Sequence, residues 1–110
     1  MTQEFLKAPS PASVRLINFE SAKIHPGIVP NSYVLVVAGT KPYLNMTVRL
    51  SPVIYVQQPD YWGIEVIGSL PGFGIPATAP YTVSLPLDGI LGKKGIEVIG
   101  ANKKLQIKVP

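Results

Sequence analysis

The six residues Gly63-Ile64-Glu65-Val66-Ile67-Gly68 recur without a change as Gly95-Ile96-Glu97-Val98-Ile99-Gly100, and this repeated phrase is the clearest indication of the fold. Each copy is rich in β-branched residues and is bounded by glycine, which is typical of a short β-strand. The phrase contains no histidine, cysteine or hydroxyl nucleophile. We therefore interpret it as two similar strands rather than as two halves of an active site.

The rest of the chain also consists of short apolar segments between turns. Twelve prolines and ten glycines divide it at intervals of about eight to twelve residues, which is typical of sandwiches and barrels. No helix is needed to account for any segment. We predict an all-β fold, namely an antiparallel β-sandwich of seven or eight strands that is immunoglobulin-like and has no disulfide.

Chain length and cysteine content limit the architecture further. A chain of 110 residues is long enough for one sizeable core and too short for two ordinary ones. We expect residues 1–12, which include Pro9 and Pro11, to form a flexible N-terminal arm, and residues 13–110 to form a single β-sandwich domain. Because cysteine is absent, the chain has no thiolate nucleophile and no cysteine-type zinc site.

The N-terminal residues also bear on location in the cell. Residues 1–13 contain Glu4 and Lys7 and lack an apolar run of signal-peptide length. No segment approaches the roughly 20 apolar residues of a membrane-spanning helix. We therefore expect a cytoplasmic protein that does not contact a membrane.

Alternation of apolar and polar side chains locates several strands. Residues 43–50 alternate most regularly, which predicts a strand with one dry face. That face comprises Leu44, Met46, Val48 and Leu50. Residues 33–38 are apolar throughout, which predicts a central strand covered on both faces. Residues 81–87 predict an edge strand, because Pro86 has no N–H to donate to a ladder.

Two further patterns concern the beginning and the end of the predicted domain. In residues 13–20 the alternation changes phase between Leu16 and Ile17, which predicts a bulge or a strand that switches sheets. The second copy of the phrase and residues 105–109 flank the polar residues 101–104. This arrangement predicts a C-terminal hairpin.

The content of charged residues has consequences for partners. Only 15% of residues are charged, against a usual share of roughly 25%, so either both faces of a sheet are buried or an oligomer interface covers the second face. The net charge is +4, and residues 93–110 contain five lysines: Lys93, Lys94, Lys103, Lys104 and Lys108. These form either a solvated rim of turns or a patch for an anionic partner, and the lack of arginine and aromatic residues there argues against nucleic acid.

No group of residues predicts an enzyme. His25 is the only histidine and precedes a proline in a turn-like stretch, so neither a Ser-His-Asp mechanism nor a multi-histidine metal site has support. Glu65 and Glu97 occupy the same position in the two copies and could form a paired acid and base. The alternative, which we favour, is that each pairs across the ladder with a C-terminal lysine. We predict no catalytic residue, no metal site and no cofactor.

An aromatic cluster supports one binding hypothesis. Tyr55, Tyr61 and Trp62 surround the polar turn at residues 57–60, and exposed aromatic rings beside amides and an acid are what a sugar-stacking platform requires. However, Trp62 shares a strand face with Ile64, and we assign that face to the core. A carbohydrate-binding module is therefore the alternative function, against an aromatic core plug with tyrosine hydroxyls at its rim.

An uncharged loop supports the other hypothesis. Residues 69–80 carry no charge and place Leu70, Phe73 and Ile75 between prolines and glycines. Loops of this length are uncommon unless they are functional or packed, so the loop either caps one end of the sandwich or is offered to a partner. We predict a non-enzymatic binding or assembly module that contacts a protein partner, or a second copy of the chain, through this loop and an apolar sheet face.

Overall fold

The structure, a computed structural model, describes residues 13–109, and in this range the chain forms eight β-strands and no helix. The strands are β1 (Ser13–Leu16), β2 (Ser21–Pro26), β3 (Tyr33–Lys41), β4 (Thr47–Pro52), β5 (Tyr61–Leu70), β6 (Ala79–Pro86), β7 (Gly95–Ile99) and β8 (Lys104–Lys108). The prediction of an all-β fold is confirmed. The predicted arm at residues 1–12 lies outside the described residues. No helix in the described range is long and apolar enough to cross a membrane.

The eight strands form two sheets. In the larger sheet, β5 is central, with β4 along one edge and β7 and β1 sharing the other edge, and β8 then pairs with β7. The smaller sheet has the order β2-β3-β6. The predicted edge position of β6 and the predicted C-terminal hairpin, formed by β7 and β8, are both confirmed.

The two copies of the repeated phrase are neighbouring parallel strands. In the β5–β7 pair, Gly63 lies opposite Glu97 and Ile64 opposite Val98. The prediction of a wholly antiparallel arrangement is therefore wrong, because the larger sheet is mixed. The physical reason is the path of the chain: after β5 it crosses to the smaller sheet as β6 and returns to begin β7 at the same end as β5, which gives both strands one direction.

Residues of both sheets build one core. The inner face of β3 contributes Leu35 and Val37, and the two copies of the phrase contribute Ile64, Val66, Ile96 and Val98. All six side chains are fully buried, and burial of each stabilises the fold by about 1.5–3 kcal/mol. Trp62 packs against this cluster while remaining partly exposed, which agrees with the assignment of its strand face to the core.

A short crossover joins the two sheets near the start of the described chain. β1 belongs to the larger sheet and β2 to the smaller one, so the phase change between Leu16 and Ile17 marks a switch between sheets. The N–H of Ile17 still donates to the carbonyl of Val66 at 3.0 Å, and Ile17 and Phe19 then turn into the core. We call residues 17–20 the crossover segment.

Three strand predictions need correction. The strand expected at residues 43–50 begins only at Thr47, because Met46 N–H bonds to the Tyr43 carbonyl at 3.1 Å and closes a turn that leaves Leu44 exposed. β2 was not predicted, since its residues include a His-Pro pair that reads as a turn. β3 is central as expected, but its outer face is only half covered, so the prediction of two covered faces is wrong.

Candidate functional site

Two connections between the sheets meet at the end of the molecule where β5 finishes. One is residues 42–46, between β3 and β4, and the other is residues 71–78, between β5 and β6. The N–H of Leu44 donates to the carbonyl of Ile75 at 3.1 Å, which joins the two connections. We call this part of the surface the Phe73 end, comprising residues 42–46 and 71–78.

The side chain of Asn45 fastens the uncharged loop to the neighbouring turn. Its amide nitrogen donates to the Phe73 carbonyl at 3.1 Å, and its amide oxygen accepts from the Ile75 N–H at 2.9 Å. The ring of Tyr43 lies against Gly74, where an added Cβ would be only 2.7 Å from the ring Cγ. The loop backbone is therefore held on both sides of Gly74, although it has no regular secondary structure.

The three predicted partner-binding residues differ in exposure. Leu70 is 6% exposed and belongs to the core, whereas Phe73 is 86% exposed and Ile75 is 42% exposed. Leu44, at 51% exposure, adds to this surface, and the sequence reasoning missed it because alternation placed it on a dry strand face. The partner-binding role stays a prediction, and Phe73, Ile75 and Leu44 are the residues that could fulfil it.

The predicted aromatic cluster forms a corner at the opposite end of β5. The rings of Tyr55 and Trp62 meet edge to face, with centroids 5.2 Å apart and an interplanar angle of 78°. The indole N–H of Trp62 donates to the Val53 carbonyl at 2.9 Å, and the Tyr55 hydroxyl accepts from the Gly63 N–H at 3.1 Å. Tyr61 is half-buried on the outer face of β5.

Through these hydrogen bonds, the aromatic corner connects β5 to the segment that precedes it. The polar groups of Tyr55 and Trp62 that a bound sugar would use already have backbone partners. Carbohydrate binding through Tyr55, Tyr61 and Trp62 stays a prediction, and this arrangement gives it no added support.

The two glutamates lie on the outer face of the larger sheet, but they are not directly opposite each other. Glu65 faces Ser51 and Ile99 on its neighbouring strands, and Glu97 faces Gly63 and Gln106. The ladder therefore places no lysine directly across from either carboxylate, contrary to the pairing that we favoured. Within residues 13–109, no group of three or more histidine, aspartate or glutamate side chains could hold a metal ion.

The remaining charged candidates are dispersed. His25 is exposed on the edge strand β2, opposite Val34. Lys103 lies over the ring of Phe19, 5.0 Å from its centroid, and donates to the Glu20 carbonyl at 3.2 Å. Lys104 and Lys108 are the terminal residues of β8. An anionic partner for these lysines stays a prediction.

One buried titratable group links the smaller sheet to the crossover segment. The Tyr81 hydroxyl donates to the Asn18 carbonyl at 2.7 Å. Burial, together with the negative charge of Glu20, raises the pKa of Tyr81 to about 12. The phenol therefore stays protonated and remains a hydrogen-bond donor throughout the neutral range.

Comparison of the chain with protein-family models, with curated proteins and with solved structures finds no match.

Proposed function

We propose that the protein is a non-enzymatic binding or assembly module and that the Phe73 end is its contact surface. The observation that carries this proposal is the combination of an 86% exposed Phe73 side chain with a backbone that Asn45 holds on both sides of Gly74. A large apolar side chain exposed to water is a typical anchor of a protein interface. The most direct form of the proposal is association with a second copy of the chain.

Preorganisation supports this assignment. An ordered loop loses little conformational freedom when it binds, so more of the contact free energy is available for affinity. Leu44 and Ile75 are joined by a backbone hydrogen bond and lie beside Phe73 in the same two connections, which extends the apolar surface beyond one ring. The loop carries no charge, so its burial against a partner requires no desolvation of an ion.

A sheet face offers a second contact area for the same proposal. On the outer face of β3, Val34, Val36 and Ala38 are half-buried. The residues opposite them in β6 are Pro86, Ser84 and Thr82. On the other side of β3, Lys23 and His25 of β2 lie opposite Val36 and Val34, so only the β6 side of this face consists of short side chains that can pack against another sheet.

We also propose that the two sheets are the layers of an immunoglobulin-like β-sandwich formed by residues 13–110. Its support is the single buried cluster drawn from both sheets. The cytoplasmic location expected from the sequence stays a prediction.

The test is the solution mass of the full chain as a function of concentration, measured by sedimentation. We expect the wild-type chain to associate as its concentration rises, and we expect Phe73→Asp to remain monomeric because it places a charge in the contact. Val56→Asp is the matched control, since Val56 is fully exposed but follows β4 at the other end of the molecule.

Two results would contradict the proposal in this form. A wild-type chain that stays monomeric at high concentration would exclude self-association. Equal association by the wild-type chain and Phe73→Asp would exclude the Phe73 end as the contact. Circular dichroism of both variants verifies that the fold is retained.

A further inference from the structure

A surface cavity lies beside the crossover segment and borders the Phe73 end, with which it shares Pro42 and Thr78. Its volume is about 410 Å³, which lies within the range of sites for small organic ligands. The crossover segment, the end of β3 and the turn of the C-terminal hairpin each contribute to the wall. The connections by which the chain changes sheets after β1, after β3 and after β5 all contribute to the cavity wall.

The wall of the cavity carries positive charge without negative charge. Arg15 and Lys41 both line it, and no aspartate or glutamate does. The Lys41 ammonium donates to the neutral Met46 carbonyl at 2.8 Å, and the Arg15 guanidinium lies 5.9 Å from the centroid of the Tyr43 ring. Within residues 13–109, neither cation is paired with a carboxylate. Both therefore retain donors for an anion.

The other residues that line the cavity indicate which further groups a ligand would carry. Thr78 and Asn18 contribute a hydroxyl and an amide, which can bond to the oxygens of an anionic head group. Thr40 is already engaged, since its hydroxyl donates to the Glu20 carboxylate at 3.3 Å. Leu16 and Pro42 provide an apolar wall against which a short hydrocarbon or aromatic body can pack.

We propose that this cavity binds a small organic anion, with a carboxylate or phosphate held by Arg15 and Lys41 and an apolar body against Leu16 and Pro42. The two cations come from different sheets, Arg15 from β1 and Lys41 from β3. A ligand that bridges them therefore connects the two layers close to the point where the chain crosses between them.

The experiment is a titration of the full chain, followed by backbone amide shifts in two-dimensional NMR spectra. Phenyl phosphate and benzoate are the anionic probes, and benzyl alcohol is the uncharged probe of similar size. We expect saturable shifts at Lys41, Thr78 and Ala101 in the millimolar range with at least one anionic probe. Comparison of the two anions identifies whether phosphate or carboxylate is preferred. Benzyl alcohol should bind much more weakly, because it cannot pair with the cations.

Variants test the assigned residues. Arg15→Gln and Lys41→Gln should each weaken binding by about tenfold or more, since each removes a charged hydrogen-bond donor. Arg49→Gln is the matched control, because Arg49 is exposed on the outer face of β4 and should leave affinity unchanged. If Lys41→Gln disturbs the adjacent turn, Arg15→Gln decides alone, since the Arg15 guanidinium makes no hydrogen bond within residues 13–109 and contacts the Tyr43 ring.

Three results would overturn this inference. The first is the absence of saturable shifts with both anions. The second is equal affinity for benzyl alcohol, which would make the site a plain apolar cleft. The third is equal weakening by Arg49→Gln, which would indicate diffuse attraction to a basic protein. Because the readout is ligand binding, its failure is distinct from a failure of self-association at the Phe73 end.

Discussion

Gly100 ends the second copy of the repeated phrase and lies close to the ring of Phe19. A Cβ at this position would be 2.5 Å from Phe19 Cδ1 and 3.0 Å from the Ile17 carbonyl oxygen. At Gly68, which ends the first copy, a Cβ would be 2.5 Å from Met46 Sδ and 2.8 Å from Ile17 Cγ2. The close approach of the crossover segment therefore accounts for Gly100, and Ile17 together with Met46 accounts for Gly68.

The first prediction follows from this contact. We expect Gly100→Ala to lower the free energy of unfolding by about 1–3 kcal/mol, because the added methyl group overpacks the core beside Phe19. Urea denaturation of the two proteins measures the difference.

Gly72→Ala is the matched control for that prediction. A Cβ at Gly72 meets no atom within 4 Å, so this variant should be neutral or slightly more stable because its unfolded chain is less flexible. Equal destabilisation by the two substitutions would show that close packing is not what requires glycine at position 100.

At the scale of single residues, strand alternation predicted the core well. It placed Ile64 on the core face of its strand and Met46 and Leu50 on a dry face, and all three are buried. It failed at Leu44, because the period of two cannot tell a strand from a turn that happens to continue the pattern.

At the scale of elements, the loop at residues 71–78 receives side-chain hydrogen bonds from Asn45 of another connection. Asn45 supplies both a donor and an acceptor to the loop backbone. Among residues 13–109, the loop's other hydrogen bonds run from Leu44 N–H to the Ile75 carbonyl and from Ala77 N–H to the same oxygen at 2.7 Å.

The second prediction concerns the hydrogen bonds of Asn45. Asn45→Ala should cost about 1–2 kcal/mol of stability through the loss of two hydrogen bonds, and it should accelerate hydrogen exchange at the Ile75 amide while the strands remain protected. Hydrogen exchange followed by NMR measures both effects.

Asn45→Asp is the control for the loop prediction. It keeps an oxygen to accept from the Ile75 N–H but cannot donate to the Phe73 carbonyl when ionised. Its Ile75 amide should exchange more slowly than that of Asn45→Ala. Unchanged exchange in both variants would mean that other contacts order the loop.

Element boundaries were less predictable than element types. The strand β2 was missed because His25, Pro26 and Gly27 together resemble a turn, although Pro26 is tolerated at the end of an edge strand. The loop was recognised as uncharged and apolar, yet its anchoring by Asn45 could not be predicted. Asn45 lies 28 residues before Phe73 and 30 residues before Ile75 along the chain, and a single amide side chain leaves no periodic signal in the sequence.

At the scale of the whole molecule, the two sheets are joined by contacts of the crossover segment. The bond from Tyr81 in β6 to the Asn18 carbonyl is one of these contacts. It exists only while the phenol is protonated, so the stability of the fold depends on pH in the alkaline range.

The third prediction gives the direction of that dependence. Tyr81 loses its proton near pH 10.0 in the unfolded chain but only near about pH 12 in the folded protein. Between these values the unfolded chain binds fewer protons, so the free energy of unfolding falls as the pH rises from 10.0 to about 12. Below this window Tyr81 contributes no pH dependence.

Denaturant unfolding at several alkaline pH values measures the slope, and Tyr81→Phe is the comparison. The variant loses the hydrogen bond to Asn18 at every pH, but it should show a shallower decline within the window. An identical decline in both proteins would assign the alkaline effect to other groups.

The direction of the β5–β7 pair could not be predicted from sequence. Identical strands carry no information on whether they pair parallel or antiparallel, or on whether they pair at all. The parallel direction of the pair follows from β6, which belongs to the other sheet and returns the chain to the end where β5 began. Such a crossover depends on contacts between sheets rather than on local pattern.

The stagger within that pair has a consequence for self-recognition. Identical segments aligned in exact parallel register, with like residues stacked at about 4.8 Å, are the building pattern of amyloid fibrils. Here Gly63 lies beside Glu97 rather than beside Gly95, a shift of two residues, so the inner and outer faces are kept and the two carboxylates avoid direct like-charge contact. The fold thus pairs two copies of a strand-forming sequence in a register that differs from the in-register stacking by which an amyloid fibril grows.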